Sequence, residues 1–283
     1  MTDCYLVAGN PVQHSQSPWI HEQFAKQTEI DLRYERLLCP LDDFEEFLKT
    51  YVAYASADAP IKGANITVPF KAQAFALAKH TTPRAALAQA ANTLRFDAQG
   101  CWCADNTDGA GLVRDIEHNA NFPLVSQNIL MIGAGGASAG ALGALIAARP
   151  NSLSLVNRTS HKAIALMQRH QAWAEQHQVQ IQAGGLDTAL GQNYDVIINA
   201  SASSLQGASI PVPSTVLKPG ALALDMMYGP TAQPFLQWAK AQGARSRDGL
   251  GMLVEQAAEA FVFWHGVRPE TTSVLESLRQ QFS

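Results

Sequence analysis

The sequence predicts an α/β protein of two domains, one of them built on a doubly wound parallel sheet with helices on both faces. The chain has 283 residues, of which 47% are hydrophobic, enough for two domains with sizeable cores. Short apolar runs alternate with helical patterns, an order that is typical of parallel sheets. Near the middle, an apolar run stops abruptly at closely spaced glycines, and an alanine-rich segment follows at once.

Charge and composition exclude several classes of protein. A formal net charge of −4 gives no electrostatic reason to expect nucleic acid or an anionic membrane as a partner. No apolar run is long enough to span a bilayer, and the first residues lack the basic and apolar regions of a signal peptide. We therefore expect a soluble, cytoplasmic protein without nucleic-acid or membrane partners.

The four cysteines fit a reducing compartment. Cys101 and Cys103 flank Trp102, and this alternation predicts a strand with both sulfurs on one face. A metal site needs further ligands at suitable spacing, and the neighbourhood offers none. We therefore expect ordinary strand cysteines and no metal.

The chain begins with a predicted strand over residues 5–9, a loop and a helix. Ser17 precedes Pro18, a pair that predicts a helix N-cap followed by proline at the first helical position. The alternative is functional, because the hydroxyls of Ser15 and Ser17 can hold a substrate carboxylate at a strand-to-helix junction. The spacing alone favours the cap.

Two further strands are predicted over residues 32–38 and 65–68, and a proline ends the second of them. Asn65 and Thr67 lie two positions apart, so they are expected to share one face of that strand. A polar face at a strand end is where the site of an α/β protein lies. Lys71 then starts a helix, where the residue alone indicates an ordinary solvated lysine.

Residues 90–94 are predicted to begin another strand. Segment 105–111 then carries carboxylates, carboxamides and glycines before a helix. An N-cap with turn glycines explains this composition. The functional alternative is an exposed acid presented at the helix start.

The central stretch, residues 127–138, predicts a buried strand, a tight turn and the start of a helix. Such a turn leaves backbone N–H groups and a positive helix end where a pyrophosphate can bind. Gly133 allows the turn, and Gly135 lets a cofactor approach the backbone. Ser138 replaces the third glycine of the fingerprint and is small enough for close helix–strand packing. This stretch therefore predicts a dinucleotide site.

The residues after the next predicted strand, 152–156, indicate which dinucleotide binds. An NAD site carries Asp or Glu about 20 residues after the glycines, where it bonds the ribose 2′-hydroxyl. This chain has Asn157 and Arg158 there, beside Thr159 and Lys162. Cations and hydroxyls suit a 2′-phosphate, so we predict NADP. The alternative is an ordinary surface arginine after a strand.

Strands over residues 179–181, 195–199 and 221–225 continue the alternation. Residues 248–252 then lead into a helix that contains Gln256. From its position alone, Gln256 is a surface or half-buried polar residue of that helix.

The motifs, taken in order, resemble the shikimate dehydrogenase family from one end of the chain to the other. Each motif alone is weak, but the ordered set is specific. The segments that carry the resemblance are 9–18, 65–71, 91–94, 106–109, 133–138, 157–159, 225–228 and 248–252.

The resemblance implies reversible NADPH-linked reduction of 3-dehydroshikimate to shikimate, in the biosynthesis of aromatic amino acids. It implies a substrate domain made by residues 1–111 and 250–283, with a Rossmann-type NADP-binding domain, residues 112–249, inserted between them. The substrate is expected in the cleft between the domains. We expect a monomer or a homodimer.

The family's functional positions carry over to this chain residue by residue. Lys71 and Asp108 match the catalytic pair, in which the lysine protonates the developing oxyanion and the aspartate holds the ammonium. The positions that match substrate contacts are Ser15, Ser17, Asn65, Thr67, Asn92, Tyr228 and Gln256. The positions that match cofactor contacts are Gly133, Ala134, Gly135, Gly136, Ala137, Asn157, Arg158, Thr159, Lys162, Met226 and Gly249.

The chain departs from the family pattern in two places. The segment 82–84 stands where many relatives carry an acidic residue, so Pro83 receives no cofactor role. Ser201 and Ser204 stand where the family usually has threonine and glycine, a change that can alter the geometry on the nicotinamide side.

Two rival functions fit the same elements. A quinate/shikimate dehydrogenase would use a broader range of substrates and cofactors, and an acid near Arg158 would favour it, but none is present. A catalytically silent NADPH-binding regulator is the other rival, and the presence of Lys71 and Asp108 counts against it.

Overall fold

The computed structural model describes residues 2–55, 60–97, 101–201 and 210–282. These residues form two compact units. The first comprises Met1–Gly111 and Val254–Ser277, and the second comprises Leu112–Leu253 and Leu278–Ser283. The domain boundaries predicted from the sequence, with the second domain at 112–249, stay predictions.

The first unit is built on a mixed sheet. Its strands are β1 (Asp3–Gly9), β2 (Leu32–Leu38), β3 (Ile61–Ile66), β4 (His80–Thr81), β5 (Thr93–Phe96) and β6 (Trp102–Asp105). The order across the sheet is β2-β1-β3-β5-β6-β4. β1 runs parallel to β2 and β3, whereas β5 is antiparallel to β3 and β6. The helices that accompany these strands are α1 (Ser17–Thr28), α2 (Phe44–Ala53), α3 (Lys71–Leu77), α4 (Pro83–Ala88) and α5 (Asp108–Arg114).

The alternation of side chains along β1 explains why this sheet is covered on both faces. Leu6 and Ala8 pack into one hydrophobic cluster, whereas Tyr5 and Val7 pack into another. Successive side chains of a strand point to opposite faces, so an uninterrupted apolar run requires a core on each side.

The second unit contains a fully parallel sheet. Its strands are β7 (Asn128–Ile132), β8 (Ser152–Val156), β9 (Gln180–Gly184), β10 (Tyr194–Asn199), β11 (Leu217–Asp225) and β12 (Arg245–Arg247), in the order β12-β11-β10-β7-β8-β9. Numbered within the unit, this is the 3-2-1-4-5-6 order of the dinucleotide-binding Rossmann fold. Its α-helices are α6 (Gly136–Ala147), α7 (Ser160–Arg169), α8 (Gln171–His177) and α9 (Gln233–Ala241).

Short helical turns of other types complete the second unit, and two longer helices end the chain. A π-helical segment spans Asp115–Asn119, and 3-10 turns span Leu186–Ala189, Ser214–Val216 and Gly229–Ala232. The final helices are α10 (Leu250–His265) and α11 (Thr272–Gln281). Among the helices that the structure describes, none combines the length and apolar character needed to cross a bilayer.

The core of the second unit confirms the doubly wound arrangement. Ile129 and Met131 of β7 pack into one cluster, and Leu130 and Ile132 pack into the other. All four side chains are almost completely excluded from solvent. The predicted two-domain α/β class with a Rossmann-type sheet is therefore confirmed.

The prediction of one strand that holds both Cys101 and Cys103 is wrong, because β6 begins at Trp102 and Cys101 precedes it.

Two further local predictions from the sequence are wrong. Ser17 is not the N-cap of α1 but its first helical residue, and the N-cap position is Gln16, which makes no side-chain cap. The hydroxyl of Ser15 accepts a hydrogen bond from the Ser17 backbone N–H. Ser15 therefore provides a side-chain acceptor at the start of α1, the role that was predicted for Ser17. Thr67 does not lie on the strand with Asn65, because β3 ends at Ile66.

His21 of α1 is completely buried in an aromatic cluster of the first unit. Its ring stacks on Tyr34 with centroids 4.5 Å apart, and Trp264 lies 5.2 Å away. Burial lowers the pKa of His21 to about 3, and the charge of His265 adds to the shift. An interaction with Asn65 opposes it, but neither ring nitrogen makes a hydrogen bond of acceptable geometry within the described residues.

This shift predicts a loss of stability on acidification. Unfolded His21 takes up a proton near its ordinary pKa of about 6.5, whereas the folded form stays neutral until about pH 3. The contribution of neutral, buried His21 to the free energy of unfolding is therefore complete above pH 6.5. It decreases as the pH falls from about 6.5 toward about 3. Urea unfolding at pH 7.5 and at pH 5 measures this effect. Between the two pH values, the free energy of unfolding of wild type should fall by about 2 kcal/mol more than that of His21→Phe. Equal losses in the two proteins would show that His21 does not titrate in this way.

Candidate active site

A lysine–aspartate ion pair forms the centre of the site in the first unit. α3 begins at Lys71 and α5 begins at Asp108, so two helix starts bring the side chains together. Lys71 Nζ lies 2.6 Å from Asp108 Oδ2, and the side chains are 17% and 5% exposed. A charge-assisted hydrogen bond with so little solvent contact fixes the position of the ammonium. Lys71 is therefore not the solvated helix lysine that its residue type alone indicated.

Asn92 connects this pair to Gln256. Its amide nitrogen lies 2.9 Å from each of three acceptors, which are Asp108 Oδ1, Gln256 Oε1 and Thr107 Oγ1. Its amide oxygen accepts from the Thr107 backbone N–H at 2.8 Å. The structure thus brings together four of the predicted residues, from α3, the start of β5, α5 and α10.

Ser15 and Ser17 form a second pair of polar groups. The hydroxyl of Ser15 donates to that of Ser17 at 3.1 Å. Arg36 of β2, which the sequence reading did not single out, holds the Ser15 carbonyl through Nε at 3.0 Å and Nη2 at 2.6 Å. Thr67 packs against Gly9, where the loop that carries Ser15 begins. The contact is so close that a Cβ on Gly9 would collide with the Thr67 methyl group.

Asn65 is buried with both of its amide hydrogens engaged. Nδ2 donates to the Asn92 carbonyl at 3.3 Å and to Thr93 Oγ1 at 3.1 Å. Tyr34 donates its hydroxyl hydrogen to Asn65 Oδ1 at 2.6 Å. With its donors placed in this way, Asn65 has only a lone pair of Oδ1 to offer a substrate, which suits a ring hydroxyl and not a carboxylate.

An ion pair between the exposed Arg84 and the buried Asp105 supports the loop that carries Asp108. Arg84 bonds Asp105 through Nε at 2.7 Å and Nη2 at 2.5 Å, and Thr82 Oγ1 donates to the same carboxylate at 2.6 Å. Asp105 Oδ1 also accepts from the Asn106 backbone N–H at 2.7 Å. Burial by itself raises the pKa of Asp105, but the hydrogen bonds and charge of Arg84 outweigh it, and the pKa is lowered.

The sequence offered no signal for that pair, because the two residues lie on separate elements. The segment 82–84, noted as a departure from the family pattern, has a local role instead. Thr82 caps α4 by accepting from the Ala85 backbone N–H, and Pro83 occupies the first turn. Pro83 thus belongs to the first turn of α4. No cofactor role was predicted for it, and this position is compatible with that.

Tyr228, the remaining predicted substrate contact, belongs to the second unit. Its ring meets Phe282 edge-on with centroids 5.7 Å apart, and burial raises its pKa. Its contact with substrate stays a prediction.

The glycine turn of the second unit has the geometry of a dinucleotide site. Gly133 has a φ of +106°, and a Cβ there would lie 2.9 Å from the Ala200 carbonyl oxygen, so the position requires glycine. Apart from the adjoining backbone, no heavy atom of the described residues lies within 4 Å of the Cβ position that Gly135 or Gly136 lacks. Ser138 is completely buried and donates to the Gly133 carbonyl at 2.7 Å, which closes the turn against α6. Ala134 and Ala137 flank these glycines, half-buried.

The four residues predicted to recognise the 2′-phosphate lie together after β8. Arg158 and Lys162 are exposed, while Asn157 and Thr159 are half-buried. The Asn157 side chain donates to the Thr159 carbonyl at 3.0 Å and shapes the loop. Two cations at the end of the strand next to β7 are available to an anionic group.

Met226 and Gly249 meet each other in the second unit. The Gly249 backbone N–H donates to the Met227 carbonyl at 2.8 Å, and a Cβ on Gly249 would collide with the Met226 carbonyl. Asp225, just before Met226, accepts from Asn199 Nδ2 at 2.8 Å and ties the ends of β10 and β11 together. Ser201 donates to Asn199 Oδ1 at 2.7 Å, whereas Ser204 lies outside the described residues.

The fold and the site together define a class of protein. A Rossmann-type unit with an open glycine turn, and a second α/β unit in which a half-buried lysine pairs with a buried aspartate, are the features of a dinucleotide-dependent oxidoreductase. Three family models match successive parts of the chain: the shikimate dehydrogenase substrate binding domain at residues 7–94, shikimate / quinate 5-dehydrogenase at 116–207, and the shikimate 5′-dehydrogenase C-terminal domain at 249–279.

Individual proteins match along nearly the whole chain. A shikimate dehydrogenase (NADP(+)) from Methylibium petroleiphilum is 57% identical over 98% of this chain and 94% of its own length. The crystal structure of an Ael1 enzyme from Pseudomonas putida is 42% identical with a TM-score of 0.86, covering 98% of each chain. Shikimate 5-dehydrogenase from Thermus thermophilus, in complex with NADP(H) and shikimate, is 29% identical with a TM-score of 0.81 and 99% coverage of each chain. This chain belongs to the shikimate dehydrogenase family.

Proposed function

We propose that this chain catalyses the reversible NADPH-linked reduction of 3-dehydroshikimate to shikimate, a step in the biosynthesis of aromatic amino acids. The observation that carries the proposal is the contact between Lys71 Nζ and Asp108 Oδ2 at 2.6 Å, within the first unit. A lysine ammonium that a carboxylate holds in a fixed position can donate a proton to a carbonyl oxygen and, as the neutral amine, take one from the hydroxyl in the reverse reaction.

The residues of the second unit fit NADP. A dinucleotide pyrophosphate needs backbone N–H groups that it can approach closely, and α6 starts at Gly135 and Gly136 with open space around both glycines. Arg158 and Lys162, with Asn157 and Thr159, would hold the 2′-phosphate, and Ala134 and Ala137 would line the turn. Met226 and Gly249 would also contact the cofactor. Bound NADPH supplies the hydride.

Lys71 provides the proton for the other half of the reaction. As hydride reaches the ring carbon, negative charge develops on the carbonyl oxygen, and an ammonium beside that oxygen lowers the barrier. The proton then moves from Lys71 Nζ to the oxygen, which gives the hydroxyl of shikimate. In the reverse direction the neutral amine takes the same proton back. Asp108 holds Nζ in place throughout.

Polar side chains of the first unit bind the substrate in this proposal. Ser15, Ser17 and Thr67 face its carboxylate with neutral hydroxyls, which cost less to desolvate than a buried cation. Asn92, Gln256 and the Oδ1 atom of Asn65 bond its ring hydroxyls. A deoxy analogue would leave these buried groups unpaired and would be strongly rejected.

We also propose a cytoplasmic location and a monomeric or homodimeric state. The four free cysteines support a reducing compartment. Size-exclusion chromatography with light scattering distinguishes the monomer from the homodimer.

A spectrophotometric assay with two substrates and two cofactors tests the proposal. Shikimate and quinate are each paired with NADP⁺ and NAD⁺, and kcat/KM is measured for all four combinations. We expect shikimate with NADP⁺ to exceed the other three by about tenfold or more, because no acid stands near Arg158 and because quinate adds a hydroxyl beside the carboxylate. A preference for quinate or NAD⁺, or no turnover of shikimate, contradicts the proposal.

A further inference from the structure

A continuous line of hydrogen bonds runs through the interior of the first unit, from Tyr34 on β2 to Asp108 on α5. Its members are Tyr34, Asn65, Thr93, Asn92 and Asp108, and each is at most 6% exposed. Buried polar groups carry a large penalty when unpaired, so the geometry of such a line is strongly constrained.

The first link fixes the orientation of the Asn65 amide. Nδ2 of Asn65 lies 3.3 Å from the Asn92 backbone carbonyl, which can only accept. The nitrogen must therefore face Asn92, and the oxygen must face the Tyr34 hydroxyl at 2.6 Å. Tyr34 is itself held by the stacked ring of His21.

The second link transmits this orientation through the hydroxyl of Thr93, which is completely buried. Oγ1 lies 3.1 Å from Asn65 Nδ2 and 3.0 Å from Asn92 Oδ1. The amide nitrogen can only donate and the amide oxygen can only accept, so the single hydroxyl hydrogen of Thr93 points to Asn92. Each link thus has only one chemically allowed direction.

The third link presents the Asn92 amide hydrogens to Asp108. With Oδ1 of Asn92 held by Thr93 and by the Thr107 backbone N–H, Nδ2 lies 2.9 Å from Asp108 Oδ1. The carboxylate is then held on one oxygen by Asn92 and on the other by Lys71. The direction of the Lys71 ammonium therefore depends on the orientation of Asn92.

We propose that Thr93 is a positioning residue for the reaction, because its hydroxyl transmits the orientation of Asn65 and Tyr34 to Asn92 and so to the Lys71–Asp108 pair. The inference rests on the proposed function, since it concerns the same proton-transfer site. Thr93 and Tyr34 act through Asn92. They are not assigned any substrate contact.

The substitution that tests this most directly is Thr93→Val, which keeps the shape and removes the hydroxyl. It leaves Asn65 Nδ2 and Asn92 Oδ1 each with one partner fewer. Thr107 still bonds Asn92 Oδ1, but the amide is held less firmly and can shift away from Asp108. We expect kcat for shikimate oxidation to fall about 10–100-fold, with the KM for NADP⁺ changing less than about twofold. Thr93→Ser keeps the hydroxyl and should stay within about threefold of wild type.

A variant at the far end of the line extends the test. Tyr34→Phe removes only the hydroxyl and should lower kcat by about 3–10-fold, less than Thr93→Val because Asn65 keeps its bonds to Asn92 and Thr93. Tyr194→Phe is the matched control: Tyr194 is equally buried, in the second unit, and its hydroxyl bonds Ser154 at 3.1 Å. This control should keep the wild-type kcat. If Thr93→Val cannot be folded, Tyr34→Phe carries the test.

A double variant separates positioning from a general loss of structure. In the Lys71→Met background no proton donor remains to be positioned, so adding Thr93→Val should change the residual kcat less than about twofold. A further full 10–100-fold loss in that background would overturn the proposal.

A crystallographic measurement distinguishes failure of this proposal from failure of the proposed function. If wild type does not oxidise shikimate, the proposed function fails, and the positions of the side chains still test the role of Thr93. In Thr93→Val we expect Asn92 Nδ2 to leave Asp108 Oδ1, while Thr93→Ser keeps the wild-type contact. An unchanged Asn92–Asp108 contact in Thr93→Val, or wild-type kcat in both Thr93→Val and Tyr34→Phe, overturns the positioning role.

Discussion

Replacing Lys71 with methionine is expected to lower kcat for shikimate oxidation by about 10²–10⁴-fold while shikimate still binds. Methionine keeps much of the apolar stem and removes the group that exchanges a proton with the substrate. The carboxylate of Asp108 then loses its partner at 2.6 Å but keeps its bond from Asn92. Steady-state kinetics should show the loss in kcat, and calorimetric titration should give a shikimate Kd within about tenfold of wild type.

Lys79 provides the matched control for this change, because it is an exposed lysine of the same unit. Lys79→Met should retain the wild-type kcat. Near-full activity of Lys71→Met, or an equal loss in both variants, would show that the proton comes from another group.

Replacing Arg158 with alanine is expected to raise the KM for NADP⁺ by about 10–100-fold, with a change of less than about twofold for NAD⁺. The guanidinium bonds the 2′-phosphate with charge-assisted hydrogen bonds, and NAD⁺ has no such phosphate. Since Arg158 is exposed, the effect should shrink as the ionic strength rises. Initial rates at several cofactor concentrations and two salt concentrations measure both effects.

Arg169 serves as the control for this second change. It is exposed at the C-terminal end of α7, on the helix that follows Arg158. Arg169→Ala should leave both KM values unchanged. Equal increases for NADP⁺ and NAD⁺ in Arg158→Ala would remove the argument that this residue recognises the 2′-phosphate.

The nucleotide unit could be predicted from the sequence because its signals are local. The strand β7, the turn at Gly133 and the helix α6 follow one another without interruption, and the apolar character of β7 reflects burial on both faces. Periodicity and glycine placement report such features directly. The chain order of strands and helices was then enough to predict the class of fold.

Local rules failed where tertiary contacts override them. Ser17 has the sequence of an N-cap, yet the hydroxyl of Ser15 bonds its backbone N–H and Ser17 becomes helical. Thr67 continues a β-rich run and its N–H still bonds the Ala8 carbonyl of β1, yet β3 ends one residue earlier, at Ile66. The alternatives at both positions depended on contacts with other segments, which spacing along one segment cannot reveal.

The residues that hold the active-site side chains in place were the hardest to predict from the sequence. Thr93 is bonded to Asn65 on a neighbouring strand, and Arg84 pairs with Asp105 on another element. Thr93 stands between the polar Asn92 and the apolar Leu94, a pattern that does not single it out. Arg84 had no signal either, because it is an exposed arginine of a short helix and nothing along its own segment indicates a buried partner.

The most direct test of the account is the rate of the hydride-transfer step itself, measured by single-turnover stopped flow in wild type and Lys71→Met. Enzyme in excess over NADP⁺ is mixed with shikimate, and the appearance of NADPH absorbance is followed. If Lys71 takes the proton during oxidation, the hydride step should slow by the same factor as kcat, about 10²–10⁴-fold. A hydride step as fast as that of wild type would contradict the assignment of Lys71 to the chemistry.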